Sequence, residues 1–370
     1  MLYQRLVAKF GTNLITGGTS HLDLKAMTSL VDQIAQLHSQ GHEVIIVSSG
    51  AVAAGRQKLK LTRERKDIPF KQVLASVGQN QLMQVYERLF SQHNITVAQA
   101  LLTKSDLSDR AGYLNARNTL LALIELGVIC IVNENDVVAT DELGEVTFGD
   151  NDNLSAMVAN LVDADLLALL TDIDGLYTAD PQRDSTAKLI PRVEKIDAKI
   201  QRLASNTASP QGVGGMATKV EAARLATSSG VTVVIANGRK PDALRQVAAG
   251  KSFGTLFPPR TSKLESKKRW MLSGLASKGK LIIDGGAVSA LRQQNRSLLP
   301  AGIINAEGKF KRGDVVGIFD SDGNHIGYGI PNYNSRDIAT IKGIHSEAIP
   351  SLLGYEYGTE VIHRNNMVLV

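Results

Sequence analysis

EVIIVSSGAVAAG, residues 43–55, is the stretch that decides the fold. Glu43–Val47 is a short, mostly apolar run of strand length, the pattern of a strand buried on both faces. It ends in Ser48-Ser49-Gly50, and small residues then lead into a helix. The same sequence of events recurs on either side. Leu6–Phe10 reads as a strand closed by Gly11. Asp23 is placed to cap a helix whose apolar positions Leu24, Met27, Leu30, Val31, Ile34 and Leu37 keep a 3.6-residue period, and Gly41 closes it. Downstream, a helical stretch over Lys71–Phe90 leads to the run Ile95–Leu102. A helix around Asn115–Glu125 precedes Val128–Val132, Asn153–Leu161 precedes Leu166–Leu170, and Thr218–Ser228 precedes Val231–Ile235. Continuous apolar strands alternating with amphipathic helices predict an α/β domain: a mostly parallel central sheet sandwiched by helices.

In such a sheet ligands bind beyond the carboxyl ends of the strands. Those ends read Lys9-Phe10-Gly11-Thr12, Ser48-Ser49-Gly50-Ala51, Asn133-Glu134-Asn135-Asp136 and Thr171-Asp172. Small, polar and charged residues therefore gather where the architecture puts a site.

The pattern changes near residue 255. Phe257-Pro258-Pro259-Arg260 punctuates the chain and Lys263–Arg269 is a basic run. Short strand signals follow, Leu281–Ile283, Val315–Phe319 and Ile326–Ile330, with turn signals at Asp284-Gly285, Arg312-Gly313 and Asp322-Gly323-Asn324. This predicts a small β-rich second domain. Charge divides in the same way. Residues 1–259 hold 26 basic and 26 acidic side chains, so the formal excess of +5 lies wholly in the remainder. A solvated basic surface is the simpler account of that excess, and contact with nucleic acid is the alternative.

Composition narrows the class. The chain has 370 residues, 43% hydrophobic and 21% charged, which is a globular balance. Apolar runs such as Leu166–Leu170 are far shorter than the roughly 18 residues of a membrane span. The N-terminal residues read as strand and turn, with no basic-then-apolar leader. Cys130 is the only cysteine, so no internal disulfide or cysteine-rich metal site can form. A cytoplasmic location is expected.

Several chemistries are excluded. No HExxH or GxSxG occurs, and Gly250-Lys251-Ser252 fails as a P-loop because Arg245 stands where its first glycine belongs. Three glycine-rich segments remain: Lys9–Asn13, Ser48–Gly55 and Gly212–Lys219. The first can set an ammonium and free N–H groups around a phosphate. The second fits either an anion at a helix start or tight helix–strand packing. The third brings backbone close to a ligand and puts Lys219 in a first helical turn, against the helix dipole. Asp136 with Asn133–Asn135, and Asn151 and Asp152 after Gly149-Asp150, add a polar cluster denser than capping requires. Two lysines, glycine loops and carboxylates suit phosphoryl transfer, which needs charge compensation and alignment. A carboxylate acceptor is already ionised at neutral pH and needs no general base.

These segments resemble the glutamate 5-kinase family, an amino-acid kinase domain followed by a PUA domain. The carriers are VAKFGTN (7–13), SSGAVAAG (48–55), IVNENDVVAT (131–140), GDNDNLSA (149–156), LLTDIDGLYTADP (169–181) and GVGGMATK (212–219), with RGDVV (312–316) and LLGYEYG (352–358) in the tail. The resemblance covers nearly the whole length and implies a catalytic domain over 1–257, a linker over 258–276 and a PUA-like domain over 277–370. It implies ATP and L-glutamate as substrates, L-glutamyl 5-phosphate as product, Mg²⁺ as cofactor, and the first step of proline biosynthesis. By motif, Lys9 and Lys219 would stabilise the moving phosphoryl group and Asp152 would hold them. Ser49, Asp136 and Asn151 would bind glutamate. Lys9, Thr171 and Asp172 would meet the nucleotide together with Val213, Gly214, Gly215, Met216, Ala217, Thr218 and Lys219. Proline as a feedback inhibitor and a homo-oligomer are implied in the same way. Asn13, where the family usually has Ser or Thr, and Val213 and Ala217, which replace often hydroxylated residues, depart from its pattern. So does Asp141–Phe148, which is longer than in some relatives.

Two alternatives stand beside this reading. One is a kinase of aspartate, acetylglutamate or carbamate. The other is RNA binding by the tail, where Tyr328, Tyr333, Tyr355 and Tyr357 lie; core or subunit packing is the simpler role for these rings, and RNA is kept as a subordinate partner.

Overall fold

The computed structural model describes residues 1–61, 67–139, 151–206, 215–263 and 277–370. They form two compact units, Met1–Ser262 and Lys263–Val370.

The first unit is built on a seven-stranded sheet: β1 (Arg5–Phe10), β2 (Glu43–Ser48), β3 (Val97–Leu102), β4 (Ile129–Glu134), β5 (Leu166–Thr171), β6 (Thr232–Asn237) and β7 (Thr255–Phe257). The spatial order is β3-β4-β2-β1-β5-β6-β7. Every neighbouring pair is parallel except β6 and β7. The helices are α1 (Thr12–Thr16), α2 (Leu24–Ser39), α3 (Ala51–Leu59), α4 (Ile68–Ser91), α5 (Lys104–Ser108), α6 (Arg110–Glu125), α7 (Asn151–Leu161), α8 (Ala198–Asn206), α9 (Met216–Thr227) and α10 (Ala243–Ala248). Asp23 caps α2 as its spacing predicts, accepting a hydrogen bond from Ala26 N. Asp67 caps α4, which starts earlier than the apolar period suggested because Pro69 preorganises its first turn.

The alternation of side chains along the strands creates two cores. Val7, Ile45, Val47, Val132, Leu167 and Leu169 pack with α6, α7 and α9 on one face. Leu6, Ala8, Phe10, Ile46, Ile131 and Leu170 pack with α2, α4 and α10 on the other. Both faces are covered over the central strands, which are apolar along their buried lengths, whereas the edge strand β3 alternates, with Gln99 and Leu101 exposed. Cys130 is buried in the first core, where desolvation pushes its thiol up to about 12.

One pair of glycines sets how two helices meet. A Cβ on Gly55 would lie 1.9 Å from Leu74 O, and one on Gly78 would lie 1.7 Å from Ala51 O. Helices α3 and α4 therefore touch backbone to backbone. The glycine at 55 serves helix–helix packing, not the helix–strand packing considered from sequence.

The second unit has a five-stranded sheet of β8 (Gly279–Ile283), β9 (Ile303–Gly308), β10 (Val316–Asp320), β11 (His325–Gly329) and β12 (Met367–Leu369), in the order β12-β11-β10-β8-β9. Helices at Gly285–Gln294, Ser335–Ile341 and Ile349–Leu353 accompany it. Asp284, read as part of a turn, caps the first of these by accepting from Ala287 N at 2.7 Å. An Asp-Gly pair serves either purpose, and only the residues that follow decide. Tyr333 is a core residue here, while Tyr355 and Tyr357 remain exposed and meet edge to face. Among the described residues no helix is long and apolar enough to cross a membrane.

Candidate active site

Strand β1 is the point where the sheet order reverses, with β2 on one side and β5 on the other. Its carboxyl end, with those of β2, β4 and β5 and the first turns of α7 and α9, carries the sequence-predicted residues. Strand parity explains which of them meet. Lys9 shares the face of Val7, towards α7 and α9. Ser48 shares the face of Ile46, towards α4.

Lys9 Nζ lies 2.5 Å from Asp152 Oδ1, and Lys219 Nζ lies 3.1 Å from Asp152 Oδ2. Lys9 is 3% exposed, Lys219 5% and Asp152 0%. Thr218 Oγ1 stands 2.9 Å from Asp152 Oδ2 and 2.8 Å from Gly215 O. Burial alone would raise the Asp152 pKa, but the Lys9 and Lys219 ammonium groups, with hydrogen bonds from Lys9 and Thr218, outweigh it. The carboxyl is held at about 2. Lys219 opposes the dipole of α9, and Asp152 supplies the counter-charge. Two ammonium groups share one carboxylate, so this triad carries a net positive charge in a dry setting, suited to an incoming anion.

A second set lies beside it. Asn151 Nδ2 donates to Ser49 Oγ at 3.0 Å and Asn133 Oδ1 at 2.9 Å, and is 3.3 Å from Ser48 O. Asn133 Nδ2 donates to Gln79 Oε1 at 2.9 Å. Ser48 Oγ donates to Ser49 O and is 2.7 Å from Tyr86 OH, whose own ionisation burial pushes up. Ser49 and Asn151 are thus in direct contact. Asp136 follows β4 and lines a cavity of about 600 Å³ with Gln79, Gln99 and Asn135. Sequence reading passed over Gln79 and Tyr86, which sit within α4 with no motif around them. The only local signal was Gly78, since a glycine inside a helix marks a close approach.

Thr171 and Asp172 end β5 on the other side of β1. Asn13 Nδ2 donates to Asp172 Oδ2 at 3.1 Å, and Arg239 donates to Asn13 O at 2.8 Å. Beyond them Lys240 Nζ meets Asp174 at 2.7 Å. Gly215, Met216 and Ala217 open α9, with Ala217 exposed. Val213, Gly214 and the Asp141–Phe148 stretch lie outside the described residues, as does most of the 258–276 linker.

A family model described as the amino acid kinase family matches residues 4–237, which include the lysine triad, the amide ladder and Asp136. The chain belongs to the amino acid kinase family. A second model, described as the PUA domain, matches residues 279–353 of this amino acid kinase. Its curated relatives include glutamate 5-kinases of Dehalococcoides mccartyi, at 58% identity over 100% of this chain and 99% of that protein. The glutamate 5-kinase of Herpetosiphon aurantiacus is 49% identical over 99% of this chain and 98% of its own length. That of Photobacterium profundum is 48% identical over 99% and 96%.

Proposed function

We propose that this amino acid kinase transfers the γ-phosphoryl group of ATP to the side-chain carboxylate of L-glutamate, giving L-glutamyl 5-phosphate and ADP, the first step of proline biosynthesis. The full-length likeness to glutamate 5-kinases supports the substrate. The observation that carries the chemistry is the convergence of Lys9 and Lys219 on Asp152 at the sheet's switch point.

In this reading a γ-carboxylate oxygen of glutamate attacks the γ-phosphorus, and the bond to the β,γ-bridging oxygen breaks. No proton need move. Lys9 and Lys219 offset charge spread over the equatorial phosphoryl oxygens and the bridging oxygen. Asp152 touches neither substrate and keeps the two ammonium groups apart and aimed. Ser49, Asn151 and Asp136 receive the amino acid, with Asp136 facing its α-ammonium. Thr171, Asp172 and the start of α9 face the nucleotide, with Val213 and Gly214 assigned to it by motif alone. Among the described residues no group of three His, Cys, Asp or Glu is placed to hold a metal. Mg²⁺ belongs to this reading as an ion that the nucleotide phosphates would carry, supplying charge neutralisation to the transferring group.

Residues 1–257 form the catalytic domain, 258–276 the linker and 277–370 the PUA-like domain in this proposal. Competition by proline at the glutamate site, a homo-oligomer and a cytoplasmic location belong to it as well. Trapping the acyl phosphate as a hydroxamate tests the whole reading. Product should need both ATP and glutamate, should fail with aspartate, acetylglutamate or carbamate, and should fall when proline is added. Turnover of one of those other acceptors in preference to glutamate overturns it. RNA binding by the second unit is the subordinate reading. It is favoured by Arg312 stacked 4.2 Å over the exposed ring of Tyr357, and salt-sensitive binding would reveal it.

A further inference from the structure

The amide groups beside the lysine triad form a ladder with a fixed direction. Ser48 O can only accept, so Asn151 must turn its NH₂ towards it. Glu134 N can only donate, and it reaches Asn133 Oδ1 at 2.9 Å. With both of these pinned by backbone, Asn133 Nδ2 must donate to Gln79 Oε1. The Gln79 NH₂ is then the ladder's free end. Gln79 is 8% exposed, lines the 600 Å³ cavity with Asp136, and its Nε2 has no hydrogen-bond partner. The other end is open too, at Asn151 Oδ1. Buried amides are almost always satisfied, so this buried, unpartnered donor, on a residue that lines the cavity, is prepared for an acceptor atom.

The placement selects the acceptor. Strands β1, β2 and β4 are consecutive in the sheet, so the β4 end stands roughly 10 Å from the β1 end. A five-carbon dicarboxylate with one end at Lys9 spans that gap with a hydrogen bond of about 3 Å at each end. Asp136, on the same cavity, is an anion and suits an ammonium. The neutral Gln79 donor suits the neighbouring carboxylate.

We infer that Gln79 is a specificity-determining residue whose Nε2 donates to the α-carboxylate of the amino-acid acceptor. This rests on the proposed kinase reading, and the test separates the two. Wild type, Gln79→Met and Gln79→Glu are assayed for ADP release with L-glutamate and with its α-amide, in which the α-carboxylate is a neutral amide. Wild type should prefer glutamate at least tenfold in kcat/KM. Gln79→Met should raise the glutamate KM about tenfold, leave the ATP KM within twofold, and lose most of the preference. Gln79→Glu should reject glutamate further and favour the α-amide, because its carboxylate accepts from the new NH₂. A change in packing alone would weaken both acceptors equally and would not invert their order. An unchanged preference in either folded variant overturns the inference, as does a wild type that uses the two acceptors equally well. No ADP release by wild type with any amino-acid acceptor overturns the kinase reading itself.

Discussion

Lys9 and Lys219 stand on opposite oxygens of one carboxylate, and neither is open to water. The arrangement needs a strand end and a helix start from distant parts of the sequence to arrive at the same point. It also leaves one positive charge in excess, held rigidly before any substrate arrives. Preorganised charge of this kind lowers a barrier because little reorganisation remains at the moment of reaction.

Replacing Lys219 by Ala should therefore lower kcat by roughly 10²–10³-fold, the range seen when one preorganised donor is removed. The glutamate KM should change less than threefold. Steady-state kinetics with coupled ADP detection measures both. Near-normal turnover would remove Lys219 from the reaction.

Asp152→Asn should be unstable as well as inactive. Taking away the shared anion leaves two buried cations uncompensated, a loss of about 3–5 kcal/mol for a broken buried pair. Urea denaturation would register it as a lower midpoint with an unchanged slope.

The same carboxylate gives a pH signature. Its folded pKa is lowered, to about 2 from an ordinary 3.8, so the stability it contributes is present above pH ~4 and is lost as pH falls towards 2. The amount is about 2 kcal/mol. Asp152→Asn should lack this segment of the profile, so the gap between its stability and that of wild type should narrow on acidification. A constant gap from pH 5 to pH 2.5 would contradict the assignment.

Asp136→Ala should raise the glutamate KM tenfold or more and leave the ATP KM nearly unchanged, since Asp136 lines the cavity next to Gln79 and not the nucleotide rim. The reverse pattern would place it on the nucleotide side.

Gly78→Ala tests the helix contact. The added methyl would meet Ala51 O at 1.7 Å and Gly55 N at 2.3 Å, both backbone atoms that cannot turn aside. Overpacking of this kind costs about 1–3 kcal/mol. The melting temperature should fall by several degrees, and the glutamate KM should rise because Gln79, the next residue, moves with the helix.

Much of this was legible in the sequence, for reasons the structure makes plain. The strands could be found because both faces of the sheet are covered, which makes runs such as Leu166–Leu170 apolar throughout. The candidate residues could be grouped because strand ends in a parallel sheet share one edge. That Lys9 and Lys219 meet came only through family resemblance, because nothing local to either lysine encodes the other. Gln79 was hidden among the polar residues of a long helix, where most such side chains face water. The short elements β7 and α10 left too few residues for a period to show.

Asn151 and Asp152 are consecutive at the start of α7, one bound to the amide ladder and the other to the lysines. In the proposed reaction a single helical turn thus acts as a yoke between the acceptor's seat and the charges that greet the donor. Redesign of acceptor choice is best confined to the outer cavity wall, around Gln79 and Gln99. A change that rotates α7 would misalign both halves of the reaction at once.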